Sequence, residues 1–285
     1  MLPTEIRQHL EDHYGTLNNY QPASGGCTNH GAVCSFAQQH LFIKWNDVNS
    51  FMAMFEAEAN GLNELRKSRF KIPEVLGLFS TDQFTCLVME AIISSTPSAN
   101  YWHTAGRQLA QMHQLNAERY GLDHSNYMGS LQQDNHYNDN WITFFTEQRL
   151  RPQIEQALET DKLTHQDAEK FEKLVYNLPN LLSIERPSLV HGDLWSGNMM
   201  VGMHGEPVLI DPAVAYCHRE VDIAMTTLFG GFSPSFYVGY QEVYPLEKGY
   251  QSRLAIYNLY PLLVHVNLFG GGYYAQTMSI VNQFI

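Results

Sequence analysis

The chain has 285 residues, of which 44% are hydrophobic, enough for one large domain or for two lobes with a sizeable core. Its 17 Lys and Arg residues against 29 Asp and Glu residues give a formal net charge of −12, which argues against a protein that binds nucleic-acid backbones. The most apolar late stretch, residues 256–269, is interrupted by two Asn, a Pro and a His, so we predict no membrane span.

The N-terminal part of the sequence predicts a small antiparallel sheet with one long helix. The helix follows from Phe51, Met54, Phe55, Leu62 and Leu65, which fall on one face at helical spacing. Alternating apolar residues bounded by turn residues predict the strands. In chain order we expect a helix at 3–14, a turn-rich loop at 24–31, strands at 32–36 and 41–45, a helix at 51–69, and strands at 77–80 and 84–89.

Residues 94–98 are small and polar and include a proline, which is typical of a linker. We therefore divide the chain into an N-lobe at 1–93, a hinge at 94–98 and a mostly helical C-lobe at 99–285. The expected fold class is α+β. In the C-lobe we predict helices at 101–116, 141–158, 167–178, 220–230, 234–244 and 250–268.

Lys44 and Glu58 form the first candidate pair. Lys44 lies in a predicted strand, where a solvated lysine is the ordinary alternative. Glu58 falls within the apolar stripe of the helix, so its carboxylate needs a cation or must lose its charge. A lysine on the facing strand is the natural partner, and Glu56 on the polar face is the competing choice. Such a strand-lysine to helix-glutamate pair holds the ATP phosphates in kinase folds.

A glycine-rich loop precedes these strands. Gly25 and Gly26 would let backbone N–H groups approach a phosphate closely, and Cys27 follows them directly. An ordinary turn is the alternative, because the loop is not a GxGxxG pattern. Cys27 in such a loop is a candidate redox-sensitive thiol, with an inert small residue as its alternative.

The most informative stretch spans residues 190–211. Asp193 lies in a turn, Asn198 follows five positions later, and Asp211 ends an apolar strand. This carboxylate–amide–carboxylate set is the one that kinase-fold phosphotransferases use. Asp193 would accept the proton of an attacking hydroxyl. Asn198 and Asp211 would supply the hard oxygen ligands that Mg²⁺ prefers.

Other polar and aromatic residues near this stretch have predicted supporting roles. We expect His191 to be a structural hydrogen-bonding residue of the turn, and His113 to be a satisfied interior histidine. Asp222 is either a helix cap or, as we favour, a brace for the Asp193 turn. A sugar-facing wall, with core packing as the alternative, would consist of Trp195, Tyr216, Phe232 and His265.

The string His191-Gly192-Asp193-Leu194-Trp195-Ser196-Gly197-Asn198 resembles the catalytic signature of the fructosamine/ketosamine 3-kinases. Aminoglycoside and choline kinases share the HGD and the later Asn, but the Leu-Trp-Ser-Gly filling is typical of ketosamine kinases. The resemblance runs from about Gly25 to Gly271 and also includes the segments 54–59, 141–145, 211–213 and 229–232.

This resemblance implies a protein-kinase-like bilobal fold and ATP-dependent phosphorylation of the 3-hydroxyl of a ketosamine, which promotes deglycation. It implies that Asp193 is the catalytic residue, that Asn198 and Asp211 hold Mg²⁺, and that Lys44, Glu58 and the Gly25-Gly26-Cys27 loop bind ATP. It also implies an adenine-binding hinge from Glu90 to Ile92. The rivals are a small-molecule kinase of the aminoglycoside or choline type and a nucleotide-binding pseudokinase.

The four cysteines show neither a CxxC pair nor metal-ligand spacing, so we predict reduced thiols. The N-terminus lacks the basic-then-apolar layout of a signal peptide, which favours a cytoplasmic protein. The expected partner is a free or protein-bound ketosamine, with no nucleic acid and no membrane. The sequence leaves the oligomeric state open.

Overall fold

The structure, a computed structural model, describes residues 2–25, 29–37 and 39–285. By packing, these residues divide into two compact units. The first unit comprises Met1–Tyr101 and Met200–Asp211, and the second comprises Trp102–Met199 and Pro212–Ile285. The expectation of lobes divided at residues 94–98 stays a prediction.

The first unit is built on a five-stranded antiparallel sheet. Its elements are α1 (Thr4–Tyr14), β1 (Asn19–Gly25), β2 (Asn29–Ser35), β3 (His40–Asp47), α2 (Val48–Leu65), β4 (Val75–Ser80) and β5 (Phe84–Glu90). The strand order is β1-β2-β3-β5-β4, so β3 lies at the centre with β2 and β5 as its neighbours. Apolar side chains of β2, β3 and β5 pack with Ile6 and Leu10 of α1 to form one core. A central strand is therefore held on both edges by backbone hydrogen bonds.

The second unit is mostly helical and contains short strand pairs. Its elements begin with α3 (Tyr101–Met112), β6 (Asn126–Met128), β7 (Leu131–Gln133), α4 (Trp141–Phe145), a π-helical turn (Thr146–Leu150), α5 (Arg151–Glu159), α6 (His165–Leu181) and β8 (Ser188–Val190). Thr164 and Asp167 form a capping box that begins α6, because each side chain bonds the other's backbone N–H.

The two short strands that lie almost wholly within Met200–Asp211 belong to the first unit. The remaining elements of the chain follow residue 195. They are a 3₁₀ turn (Ser196–Asn198), β9 (Met199–Val201), β10 (Pro207–Leu209), β11 (Ala215–Cys217), α7 (Glu220–Leu228), α8 (Pro234–Val243), a second 3₁₀ turn (Tyr250–Ser252), α9 (Leu254–Tyr257), α10 (Leu259–Phe269) and α11 (Gly272–Gln283). A large apolar core joins α4, α5, α6, α10 and α11. Within the described chain, no helix is both long and apolar enough to cross a bilayer.

The predicted fold class is confirmed, since an antiparallel sheet with a helix is followed by a mostly helical remainder. The predicted helix at 250–268 is wrong as a single element. Pro261 has no N–H to donate to the carbonyl of Tyr257, and its ring clashes there, so α9 ends at Tyr257 and α10 begins separately. Sequence analysis also assigned no helix to α11, whose buried residues Met278 and Val281 carry a weak apolar pattern.

Candidate active site

Lys44 lies in the middle of β3, between Gly31 of β2 and Leu87 of β5. Its side chain is only 4% exposed, and its Nζ donates to Glu58 Oε1 of α2 at 2.7 Å. The ion pair predicted from the apolar surroundings of Glu58 is therefore present. Lys44 Nζ also donates to Asp211, a partner that sequence analysis did not assign to it.

In this cluster one buried ammonium faces two carboxylates. Burial disfavours the charged form of Lys44, but the Glu58 and Asp211 carboxylates outweigh it and raise the Lys44 pKa above its usual value. Burial raises the pKa of Glu58 to about 7, with the Asp211 charge adding to the rise and Lys44 opposing it. The protonation of Glu58 is therefore sensitive to the charges of both Lys44 and Asp211.

Asp211 has an unusual backbone conformation. Its φ is +52°, and among the described non-glycine residues only Asp161 also has a positive φ. The next residue is Pro212, which restricts Asp211 further. Aspartate tolerates this left-handed region better than most residues, but the conformation still costs free energy. A strained residue that carries a carboxylate is typical of a functional site.

The turn that carries Asp193 follows β8. Gly192 has a φ of +84°, and a Cβ there would lie 2.0 Å from the carbonyl oxygen of Ala213. A larger residue would therefore collide with backbone, which explains why glycine precedes Asp193. The Ala213 N–H donates to the His191 carbonyl at 2.9 Å, so the irregular segment after Asp211 is bonded directly to this turn.

Asn198 is tied to Asp193. Its Nδ2 donates to the Asp193 carbonyl at 2.8 Å and to Asp193 Oδ2 at 3.0 Å. The side chain is buried in the 3₁₀ turn that begins at Ser196, whereas Asp193 is partly exposed. An amide binds a metal ion through its oxygen, so Oδ1 is the atom with which Asn198 would do so. An amide oxygen here and the carboxylate of Asp211 are both hard donors that suit Mg²⁺.

A buried carboxylate holds the backbone of the Asp193 turn. Asp222 of α7 accepts the N–H of His191 at 2.8 Å and the N–H of Gly192 at 2.9 Å. His191 Nδ1 in turn accepts the Asp193 N–H at 3.2 Å. The interpretations of Asp222 as a brace and of His191 as a hydrogen-bonding residue of the turn are both confirmed.

His113 of α3 extends the brace inward. Its Nε2 donates to Asp222 Oδ2 at 3.1 Å, and its Nδ1 accepts the Tyr240 hydroxyl at 2.8 Å. Burial lowers the pKa of His113, with the Asp222 carboxylate opposing the shift, which favours the neutral ring that this pattern requires. His113 is thus the satisfied interior histidine that the sequence predicted, but the contribution of Tyr240 was missed because nothing in the local sequence of α8 points to it.

The candidate hinge lies at the end of β5. The Glu90 N–H donates to the Glu74 carbonyl at 2.8 Å, and the Ala91 N–H donates to the His40 carbonyl at 3.1 Å. The Glu90 side chain pairs with Lys71 at 2.6 Å. Ile92 makes no backbone hydrogen bond to another described residue. Its backbone groups therefore fit the predicted adenine contact better than those of Glu90, and the role stays a prediction.

The candidate phosphate loop is only partly within the described chain. Gly25 ends β1, opposite Asn29 of β2. Gly26 and Cys27 lie outside the described residues, so their predicted roles stay predictions. The other three cysteines, Cys34, Cys86 and Cys217, are buried free thiols.

The four aromatic wall candidates occupy different places in the second unit. Trp195 is 36% exposed, and its ring lies on Gly197, where a Cβ would come within 2.3 Å of the indole. Phe229 connects it to His265 by ring-centroid distances of 5.8 Å and 5.1 Å. Phe232 is buried instead against other rings, those of Trp102 and Phe236, and Tyr216 lies in β11 opposite Leu189. Sequence analysis assigned no role to Phe229, although it precedes a Gly-Gly pair.

The antiparallel sheet with its buried lysine–glutamate pair and the helical unit with its aspartate-bearing turn define a kinase-like phosphotransferase. The sequence model of the family described as fructosamine kinase matches residues 2–285. This chain therefore belongs to the fructosamine kinase family.

Similar proteins agree with this assignment. A "Probable ketoamine kinase" of Enterococcus faecium is 40% identical over 267 residues, which cover 92% of this chain and 94% of that protein. The chloroplastic protein-ribulosamine 3-kinase of Arabidopsis thaliana is 36% identical over 92% of this chain and 81% of its own length.

Solved structures are similar over nearly the whole chain. The crystal structure of a "putative fructosamine-3-kinase" of Thermobifida fusca has a TM-score of 0.87 at 32% identity and covers 97% of both chains. An ADP-bound aminoglycoside phosphotransferase has a TM-score of 0.69 at 16% identity over the full length of both chains. At that identity the second likeness concerns the fold alone.

Proposed function

We propose that this enzyme transfers the γ-phosphoryl group of ATP to the 3-hydroxyl of a ketosamine, free or attached to a protein amine, and thereby promotes deglycation. The observation that carries the proposal is the turn in which Asp222 fixes the backbone while Asn198 orients Asp193, within a chain of the fructosamine kinase family. Phosphoryl transfer needs positioning and charge stabilisation more than covalent chemistry, and a fixed carboxylate supplies positioning.

Asp193 is the proposed acceptor of the proton from the attacking hydroxyl. Its carboxylate is partly exposed, and Asn198 Nδ2 donates to Oδ2 at 3.0 Å. That hydrogen bond fixes the direction in which the carboxylate faces, and the same carboxylate is proposed to orient the sugar hydroxyl. Acid–base help of this kind contributes about two to four decades in rate.

Lys44 is the proposed ligand of the ATP phosphates, with Glu58 keeping its ammonium in place. The contact from Lys44 to Asp211 would give way when phosphate oxygens and a metal ion are present, since Asp211 is the proposed metal ligand together with Asn198. Bound Mg²⁺ would neutralise phosphate charge. The carboxylate of Asp211 is a hard oxygen donor of the kind that a divalent cation such as Mg²⁺ prefers.

Two backbone segments of the first unit are proposed to complete the ATP site. The backbone of Ile92 is proposed to contact adenine, and the Gly25-Gly26-Cys27 loop is proposed to lie over the phosphates. We propose a cytoplasmic setting, in keeping with the free thiols of Cys34, Cys86 and Cys217.

An ATP-consumption assay over ketosamines of different sugar length, free and on lysine side chains, tests this function. Phosphorus NMR of the product should give a 3-phosphate. Asp193→Asn should lower kcat by about two to four decades with little change in thermal stability. Product formation at the wild-type rate by this variant would remove Asp193 from the proposed role, and no turnover of any ketosamine by the wild-type enzyme would refute the function itself.

A further inference from the structure

A cluster of aromatic rings surrounds His265 of α10 on the surface of the second unit. Phe229, Phe269 and Tyr273 lie at centroid distances of 5.1, 5.5 and 4.8 Å from its ring, and we call these four residues the His265 box. Phe269 is 53% exposed, and His265, Phe229 and Tyr273 are each partly exposed. These rings pack against one another and are also partly exposed to solvent, so a ligand can reach them.

The protonation of His265 leaves a hydrogen-bond acceptor inside this box. Nδ1 lies 2.7 Å from the carbonyl oxygen of Pro261, and a carbonyl only accepts, so Nδ1 carries the proton. Burial lowers the pKa of His265, with the bond to Pro261 opposing the shift, so the ring is neutral at pH 7. Nε2 therefore presents a lone pair, and it has no hydrogen-bond partner among the described residues.

The box adjoins the Asp193 turn. Trp195, two residues after Asp193, has its ring centroid 5.8 Å from that of Phe229. The box thus lies next to the turn that carries the proposed general base.

We propose that the His265 box binds the protonated amine of the ketosamine substrate, with Nε2 of His265 accepting the ammonium N–H and the rings facing its charge. This inference rests on the proposed function. In a ketosamine the nitrogen is bonded to C1 and the reacting hydroxyl to C3, so only C2 separates these two carbons. A substrate whose 3-hydroxyl meets Asp193 must place its amine close by.

The chemistry of the box suits an alkylammonium group. Aromatic faces attract alkylammonium groups, and a cluster of rings is a common way to recognise them. A neutral imidazole acceptor adds a charge-assisted hydrogen bond to such a donor. Within the described chain, the cations that lie over rings are arginines at other places, Arg119, Arg149 and Arg219, so no side chain of that kind already fills the box.

A pair of substrates that differ only at the nitrogen tests the proposal. One is the fructose adduct of butylamine, and the other is its ether analogue with oxygen in place of the amine. His265→Phe keeps a ring but removes the acceptor, and Phe269→Leu removes a ring face. Tyr176→Leu, at a residue of α6 that is 84% exposed, is the matched control for the loss of a surface aromatic ring.

We expect His265→Phe to lower kcat/KM for the amine substrate by about tenfold and that for the ether by less than twofold. Phe269→Leu should lower the amine value by about two- to fivefold. Tyr176→Leu should change neither value. Equal losses for amine and ether in both variants would overturn the proposal.

Binding of butylammonium chloride, followed by protein NMR, separates this inference from the proposed function. Shifts confined to the His265 box in the wild type, and lost in His265→Phe, support the amine site even if no ketosamine is phosphorylated. If His265→Phe and Phe269→Leu both bind butylammonium as tightly as the wild type does, the proposed site is rejected. It is also rejected if butylammonium shifts only resonances outside the His265 box. Neither outcome bears on the kinase activity.

Discussion

The Lys44 cluster of the first unit and the Asp222 brace of the second both consist of buried polar groups, but they are satisfied in opposite ways. Two carboxylates, those of Glu58 and Asp211, share the single ammonium of Lys44, and burial raises the pKa of Glu58 to about 7. Asp222 is fully buried, yet its oxygens accept two backbone N–H groups and a neutral histidine donor.

This difference distinguishes a cluster that can rearrange when a ligand binds from a network that only keeps the backbone in place. A buried network that is fully hydrogen-bonded is rigid, because every alternative arrangement leaves a group unpaired. A cluster in which two carboxylates share one ammonium can exchange one of those contacts when a nucleotide and a cation bind. We therefore expect nucleotide and metal to reorganise the Lys44 cluster and to leave the Asp222 brace unchanged.

Replacing Lys44 with Met should give the largest effect, because it leaves the Glu58 carboxylate buried without its cation. Breaking a buried ion pair from one side costs about 3–5 kcal/mol in the free energy of unfolding. Since Glu58 can take up a proton, the loss should be smaller at pH 5 than at pH 8. Urea unfolding at the two pH values measures this, and ATP binding by calorimetry should also disappear.

An exposed pair provides the control for this variant. Lys67 and Glu64 lie on the surface at 2.5 Å, three residues apart, with the lysine side chain 52% exposed. Lys67→Met should cost less than 1 kcal/mol at either pH. Equal losses for Lys44→Met and Lys67→Met would contradict the buried, charge-sharing arrangement.

The pH dependence of stability should reveal the neutral histidines of the second unit. Burial lowers the pKa of His218 to about 4, and its ring stacks on Tyr257 at 5.3 Å. Between pH 4 and 6.5 the unfolded chain binds a proton that the folded chain refuses. The contribution of neutral His218 to the free energy of unfolding is therefore present above pH 6.5. It is lost as the pH falls toward 4, by roughly 2–3 kcal/mol.

His218→Phe keeps the stacking and removes the titration. Its free energy of unfolding, measured by urea at pH 7 and at pH 4.5, should fall less with acid than that of the wild type. The difference between the two proteins in how the free energy of unfolding changes with pH gives the contribution of His218, because His113 and the carboxylates are the same in both. Parallel slopes for variant and wild type would mean that His218 titrates normally in the folded chain.

Asp222→Asn tests the brace with the smallest change of shape. One oxygen becomes an NH₂ group, so either the His191 or the Gly192 N–H loses its buried acceptor, at a cost of about 1–3 kcal/mol. We expect a lower kcat with an unchanged KM for ATP, because the turn shifts while the Lys44 cluster stays intact. Steady-state kinetics against ATP would contradict this if KM rose and kcat held.

Sequence reasoning reached parts of both regions through different signals. Glu58 was identified because a carboxylate in an apolar stripe must have a partner, and the partner was the nearest strand lysine. The brace by Asp222 was favoured over a helix cap, and the structure shows the bonds to the turn. Such inferences succeed where a polar residue in an apolar environment needs a partner and only a few residues nearby could supply one.

The missed features depend on long-range packing. Tyr240 is 127 residues from His113 along the chain, and no local pattern marks it as a hydrogen-bond partner. The hydrogen bond from Lys44 to Asp211 forms with the Asp211 backbone in the left-handed region, at a φ of +52°, which the sequence alone does not predict. The break before α10 was predictable in principle from Pro261, but the apolar run around it suggested one continuous helix.

Tyr240→Phe should have the smallest effect, because it removes a single hydroxyl from the inner end of the brace. His113 Nδ1 would lose its 2.8 Å donor, while Nε2 would keep its bond to Asp222. The expected loss is about 1 kcal/mol in the free energy of unfolding, with kcat within twofold of the wild type. A fall in kcat as large as that of Asp222→Asn would contradict this expectation. It would show that the Tyr240 hydroxyl, by fixing the tautomer of His113, sets the position of the Asp193 turn.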